Sequence, residues 1–289
     1  MTQVLLSFGH GYSAQALVRL LAPQSWRVIG TTRCAEKAAA IRETGAEAVV
    51  WPGGDVSALR EATHVLVSAG PTEAGDPVLA LLRGQIAAAA PRLTWVGYLS
   101  TTAVYGDHGG GGVDETTPLT PASRRGRLRV QAEAEWGAIP GLPLHVFRLA
   151  GIYGPGRGPF AKVRAGTSRR IIKPGQVFSR IHVEDVAQVL AASMARPNPG
   201  AVYNVCDDNP APPEEVIAHA AKLLGLPVPP AIAYEEAEMT PMARSFYGEN
   251  KRVRNDRIKD ELGVDLRYPG YLEGLGALLA DHPDQMSEK

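Results

Sequence analysis

Cysteine is nearly missing from this chain. Cys34 and Cys206 are the only two in 289 residues. They lie far apart without metal-ligand spacing, which argues against a disulfide framework or a zinc site. Net charge is missing as well: Lys and Arg number 30, and so do Asp and Glu. No overall field therefore draws the chain to nucleic acid or to a membrane surface. Aromatic residues are few, at 6%. No apolar run is long enough to span a bilayer, and Met1-Thr2-Gln3 enters a strand without the basic and apolar regions of a secretory signal. A cytoplasmic setting is expected, with no metal, nucleic acid or membrane partner. The hydrophobic share of 45% suffices for a sizeable core in one large or two modest domains.

What is present is concentrated at the start. Val4-Leu5-Leu6-Ser7-Phe8 is a short apolar run, followed without a gap by Gly9-His10-Gly11-Tyr12-Ser13-Ala14. Ala16, Leu17, Leu20 and Leu21 then recur at helical spacing. This is the G-x-G-x-x-A form of the dinucleotide fingerprint. Gly9 permits the tight turn, Gly11 lets backbone approach a pyrophosphate, and Ala14 allows the helix to pack closely on the strand. Unpaired N–H groups at the helix N-terminus suit the phosphates, with Tyr12 and Ser13 beside them. His10 is expected to point outward.

The second strand, 27–32, bears on which nucleotide binds. An NAD site usually has Asp or Glu roughly 20 residues beyond the glycines to hold the ribose 2′-OH. Here Thr31-Thr32-Arg33 stands in that place, with Lys37 about one helical turn on and no carboxylate at the strand end. A guanidinium beside hydroxyls suits a 2′-phosphate, so NADP is expected over NAD.

Strands at 46–51, 63–69, 93–100 and 143–150 alternate with helical patterns at 35–43, 78–90 and 123–136. That alternation implies an α/β fold: a Rossmann-type, doubly wound parallel sheet with ligands at the carboxyl ends of its strands. The loops that matter are then 9–14, Arg33, Gly54-Asp55, Ala69-Gly70-Pro71, 101–106 and 151–158. After residue 150 the chain becomes Gly- and Pro-rich, with helical material at 214–224 and 258–280. Gly109 to Gly112 reads as a mobile surface loop.

Four segments occur in order: the fingerprint, Leu99-Ser100-Thr101-Thr102-Ala103-Val104-Tyr105-Gly106, Arg148-Leu149-Ala150-Gly151-Ile152-Tyr153-Gly154-Pro155-Gly156, and Arg180-Ile181-His182-Val183-Glu184-Asp185-Val186-Ala187. Together they resemble the extended short-chain dehydrogenase/reductase superfamily, in its NAD(P)-dependent epimerase/dehydratase branch. Tyr203-Asn204-Val205 and Asn250-Lys251-Arg252-Val253 continue the likeness. It implies a Rossmann domain from 1–150 and 176–205, and a small C-terminal α/β substrate domain from 151–175 and 206–289. It also implies a homodimer through the helices at 78–90 and 123–136. By the same likeness Asp55, Ala69, Gly70, Pro71, Ala150 and Ile152 join the cofactor loops. Tyr105, Tyr153, Arg157 and Arg180 fall on the substrate side, and His182 is structural.

One departure from the family governs the chemistry. Its active members use a Ser or Thr hydroxyl together with a Tyr-x-x-x-Lys. Thr101 fits the hydroxyl. Arg125 and Arg129 stand where the Tyr and Lys should be. An arginine stays protonated above about pH 12 and makes a poor proton shuttle. Arg129 can still donate to ribose hydroxyls, and Arg125 suits a carboxylate or phosphate. Two functions compete. One is an NADP-dependent oxidoreductase, epimerase or dehydratase acting on a small polar substrate, anionic or sugar-nucleotide-like. The other is a catalytically inactive protein that senses NADP(H).

Overall fold

A computed structural model describes residues 3–281; the outermost parts of the two expected domains, 1–2 and 282–289, lie outside the described residues. The first half alternates strand and helix: β1 (Val4–Phe8), α1 (Tyr12–Leu21), β2 (Arg27–Thr32), α2 (Ala35–Glu43), β3 (Glu47–Val50), β4 (His64–Val67), α3 (Leu79–Ala89) and β5 (Trp95–Thr101). Then come β6 (Gly112–Val113), α4 (Arg124–Gly137), β7 (Leu144–Leu149), β8 (Gly151–Tyr153), α5 (Phe160–Arg164), β9 (Arg170–Ile172) and β10 (Arg180–His182). The remainder is α6 (Val183–Ala195), β11 (Val202–Val205), α7 (Pro213–Leu223), β12 (Ala231–Ala233), α8 (Pro241–Phe246), β13 (Arg252–Val253), α9 (Asp256–Asp260) and α10 (Tyr271–Asp281).

Seven strands form one parallel sheet in the order β11-β7-β5-β4-β1-β2-β3. All residues of β1, β4 and β7 are buried, whereas the edge strand β3 is not. Strands covered on both faces read as continuous apolar runs, which is why they were visible in the sequence. Their side chains alternate between two cores. Leu5 packs with Leu17 of α1 and Val186 of α6, while Leu6 and Phe8 pack with Leu82 and Ile86 of α3. Strand order reverses between β1 and β4, so the switch-point crevice opens at Phe8–Gly9.

Beyond β7 the chain leaves the sheet, returns through β10 and α6 onto α1, adds β11 to the edge, and leaves again. A separate apolar cluster joins Phe160, Val163, Val216, Ala220, Tyr271 and Leu275 from α5, α7 and α10. Short parallel pairs, β8 with β10 and β9 with β12, brace this smaller part. The four-glycine run is tied down rather than free. His108 and Gly110 donate their N–H groups to the Asn250 carbonyl (3.0 and 2.9 Å), and Gly112–Val113 pairs with β13. Among the described residues no helix is long and apolar enough to cross a membrane.

A polar network crosses the core beneath the carboxyl ends of the strands. Arg148 on β7 forms a buried ion pair with Glu133 on α4 (2.8 Å) and donates to the Tyr105 hydroxyl (3.0 Å). Tyr105 donates to Asn204 on β11 (2.7 Å), and Ser100 on β5 donates to Glu133. Removing one partner of such a pair strands the other charge, at a cost of about 3–5 kcal/mol. Glu133→Ala is expected to lower the unfolding free energy by that amount in urea denaturation. Replacing both partners, Glu133→Leu with Arg148→Met, is expected to cost less than Glu133→Ala alone.

Candidate functional site

The loop after β1 is shaped by two glycines. Gly9 has φ +77°, and a Cβ there would sit 2.8 Å from the Ala69 backbone nitrogen; only glycine allows β1 and β4 to approach so closely at this turn. Its N–H donates to the Thr31 hydroxyl (3.0 Å). Gly11 is the N-cap of α1 and supplies no side-chain cap, and no acidic residue stands in the first helical turn. The first N–H groups of α1 are thus left for an anion, with the positive end of the helix dipole behind them. Ala14 is 1% exposed and packs inside the α1–sheet core, behind the loop.

His10 does not point outward. Its ring is buried against Gly30, where a Cβ would lie 2.5 Å from a ring carbon, and neither ring nitrogen has a hydrogen-bond partner. The loop turns so tightly that the intervening side chain must go under it, and glycine at position 30 makes the room. Burial lowers the His10 pKa to about 4.

A cavity of about 830 Å³ runs from this loop across the strand ends to the smaller part of the molecule. Gly9, Gly11, Tyr12 and Ser13 line its first end. Thr101 and Arg129 lie along its middle with Ala150 and Ile152. Arg125, Tyr153, Arg157 and Arg180 are also on the wall. Thr101 closes β5 and accepts the Ala103 N–H (3.3 Å). Ser123 caps α4 by accepting the Gly126 N–H (3.2 Å), which sets Arg125 and Arg129 on one helical face toward the cavity. Arg129 donates to the Leu99 carbonyl and to the Tyr98 hydroxyl (3.2 Å), and stands beside Gly70. Arg125 makes no hydrogen bond or ion pair with the described residues; its guanidinium carbon lies 4.7 Å from the Phe246 ring centre.

Tyr12 donates to the Pro155 carbonyl (2.9 Å), its ring lies 5.7 Å from the Arg157 guanidinium, and burial pushes its pKa up to about 12. Arg180 donates from one guanidinium nitrogen to the Phe178 and Ala211 carbonyls (2.8 and 3.0 Å). Burial pushes Asp207, which senses Arg180, up to about 7. Tyr153 donates to the Gly270 carbonyl (3.2 Å), and burial holds its hydroxyl far above the usual tyrosine range.

Several expected residues stand elsewhere. Tyr105 is not on the cavity wall: it is fully buried, its hydroxyl accepting from Arg148 and donating to Asn204, which satisfies the buried polar groups on both sides of it. Thr32, Arg33, Asp55, Ala69, Gly70 and Pro71 fall outside the wall as well. Thr32 accepts the Cys34 N–H (3.3 Å), and Arg33 is exposed and unpaired. A carboxylate does stand near this end of β2: Glu36, in the first turn of α2, accepts the Cys34 thiol proton. Asp55 accepts from the N–H and hydroxyl of Ser57 (both 2.7 Å), so its carboxylate serves a local turn. His182 caps α6 by accepting the Glu184 N–H (3.3 Å).

Other wall residues carried no assigned role in the sequence. Lys251 pairs with Glu249 (2.6 Å) and donates to the Gly106 carbonyl (2.7 Å). Phe178, Phe246, Tyr247 and Tyr271 supply an aromatic side. Lys251 lay inside a recognised segment, whereas the aromatics come from loops and short elements without periodicity. Among the described residues no cluster suits a metal ion.

No known family model matches the chain. It is 68% identical to a functionally unknown conserved protein from Silicibacter pomeroyi, with TM-score 0.93 over 97% of this chain and 99% of that one. It is 28% identical over 278 residues to Protein YeeZ of Escherichia coli, 90% of this chain and 94% of that protein. At 18% identity it superposes on dTDP-glucose 4,6-dehydratase from Bacillus anthracis in complex with NAD, TM-score 0.79, covering 98% and 97%. At 17% identity it matches a human epimerase family protein with NADPH, TM-score 0.74, covering 96% and 100%.

The buried His10 generates a pH prediction. Its folded pKa lies below its unfolded value of 6.5. Between those values the unfolded chain binds the extra proton, so this contribution is full above 6.5 and is lost as pH falls toward 4. His10→Gln is expected to lower stability at pH 7 and to flatten its fall between pH 6.5 and 4.5 by roughly 1 kcal/mol per pH unit. Urea denaturation across that range measures both.

Proposed function

We propose, for a chain that belongs to one family with the Silicibacter pomeroyi protein and has the extended short-chain dehydrogenase/reductase fold, that it is an NADP-dependent oxidoreductase of the epimerase/dehydratase kind. The observation that carries the reading is the single cavity joining the uncapped N-terminus of α1 to the Thr101 hydroxyl. Gly9, Gly11 and the first N–H groups of α1 would hold the pyrophosphate. Arg33, free of any ion pair, would take the 2′-phosphate. Arg129 would reach the ribose.

When bound, the reduced dinucleotide supplies a hydride to a carbonyl carbon. Thr101 then donates a hydrogen bond to the reacting oxygen, and Arg125 stabilises the negative charge that grows on it. The proton for that oxygen would come from solvent reaching the cavity, because Arg125 does not release one and Tyr153 donates to the Gly270 carbonyl. The substrate is small and polar or anionic. The reading includes a homodimer through α3 and α4; Leu81 on α3 is 55% exposed. A second reading, an NADP(H)-sensing protein without turnover, has one observation in its favour. The position of the family's tyrosine is held by Arg125, which touches Phe246 of α8.

NADPH is expected to bind at least about tenfold more tightly than NADH in a fluorescence titration, the size of one charge-assisted contact. Arg33→Ala should erase the difference by weakening NADPH alone. Equal affinities in the parent protein would remove the NADP assignment. With a carbonyl substrate, Thr101→Val is expected to lower turnover by about a hundredfold. Tight NADPH binding without turnover on any carbonyl would leave the sensing reading.

A further inference from the structure

The cavity is far from neutral in a protein that is neutral overall. Its wall carries five cations, Arg125, Arg129, Arg157, Arg180 and Lys251, against one carboxylate, Glu249. Two of the cations are already answered. Lys251 is paired with Glu249, and Arg180 lies against carbonyl oxygens within the field of Asp207. Three remain. Arg157 sits over Tyr12 at the phosphate loop, and Arg129 sits beside Gly70 at the switch point. A pyrophosphate at the uncapped end of α1 brings two negative charges to that side. Arg125, beyond Thr101 and bonded to nothing, is left over.

Arg125 is exposed at the cavity mouth, where Phe246, itself 43% exposed, faces its guanidinium at 4.7 Å. Elsewhere on the same wall Phe178 and Tyr247 meet edge to face with centroids 5.3 Å apart. Val216, Ile217 and Leu275 continue the wall. In a chain that is only 6% aromatic, this end of the cavity draws on both aromatic rings and branched aliphatics. Phe178, Phe246, Val216, Ile217 and Leu275 offer no hydrogen bond to the hydroxyls of a sugar nucleotide, although Ser123, Ser179 and Ser245 stand on the same wall. A flat apolar group with a single anionic end fits both features.

We propose that the substrate pocket takes an aromatic or similarly apolar carbonyl compound bearing one carboxylate. The carboxylate lies on Arg125, the apolar body against Phe178, Phe246 and Tyr247, and the carbonyl at Thr101. This rests on the oxidoreductase reading for what happens to the carbonyl, but the binding claim stands apart from it. The guanidinium stacked on Phe246 is held for a planar anion in a way that a flexible lysine is not.

Calorimetric titration tests it with three probes, phenylglyoxylate, acetophenone and UDP-glucose, on protein with and without saturating NADPH. Phenylglyoxylate is expected to bind about tenfold to a hundredfold more tightly than acetophenone, the range of one charge-assisted pair, and UDP-glucose more weakly than phenylglyoxylate. Arg125→Gln should bring phenylglyoxylate down to the acetophenone level with unchanged thermal unfolding, and Phe246→Ser should weaken both aryl ligands. Equal binding of the two aryl probes, no binding of phenylglyoxylate, or a preference for UDP-glucose overturns the inference. NADPH binding is read separately. If NADPH binds and the aryl probes do not differ, the pocket assignment falls and the cofactor reading stands. If the probes differ and NADPH does not bind, the reverse holds.

Discussion

The buried pair of Arg148 and Glu133 is the constraint on which the cavity depends. It joins β7 to α4 in a place where neither charge can be left alone. Through it, α4 has a set height and rotation against the strand ends, and with α4 go Arg125 and Arg129. Ser100, bound to the same carboxylate, is the neighbour of Thr101. The geometry at which a substrate would meet hydroxyl and guanidinium thus follows from a contact that no ligand touches. The same pair explains where Tyr105 went: a buried guanidinium with donors to spare draws in the nearest hydroxyl.

The parts of the fold that could be read from sequence are those whose cause is local. Continuous apolar strands announce a sheet covered on both faces, Gly9 and Gly11 announce a turn that only glycine can make, and helical spacing at 123–136 announces α4. For the candidate site the sequence supplied positions and not roles: Gly9, Gly11, Thr101, Arg125 and Arg129 line one cavity. The placements that differ from the expected ones have distant causes. Tyr105 is positioned by Arg148, 43 residues away. His10 is admitted under its loop by the missing side chain of Gly30. The glycine run is anchored by Asn250, and the aromatic wall assembles from loops and a six-residue helix that leave no periodic trace. The short strand pairs β8–β10 and β9–β12 are too brief for an alternating pattern to register.

On the proposed reading, Arg125 and Arg129 stand where the resembled family has a Tyr and a Lys. The i, i+4 spacing on α4 puts both on the cavity side. Neither guanidinium can give up a proton near neutral pH. The cavity wall is net positive while the molecule is neutral, since acidic residues elsewhere balance it. A preorganised positive field of that kind favours anions in the ground state and developing negative charge in a reaction.

The hydrogen bond from Tyr12 to the Pro155 carbonyl has a mechanical meaning. Tyr12 opens the helix that would cradle a pyrophosphate, and Pro155 belongs to the segment that leads away from the sheet. Gly154, next to it, has no side chain, and a Cβ there would lie 2.5 Å from the Tyr12 oxygen. This contact fastens the two parts of the molecule together on the cavity rim beside the phosphate loop. It is one tie among several between the sheet and the smaller part: the β6–β13 pair and the bond from Lys251 to the Gly106 carbonyl fasten the cavity at its other end. A cleft laced at both ends resists opening along its whole length.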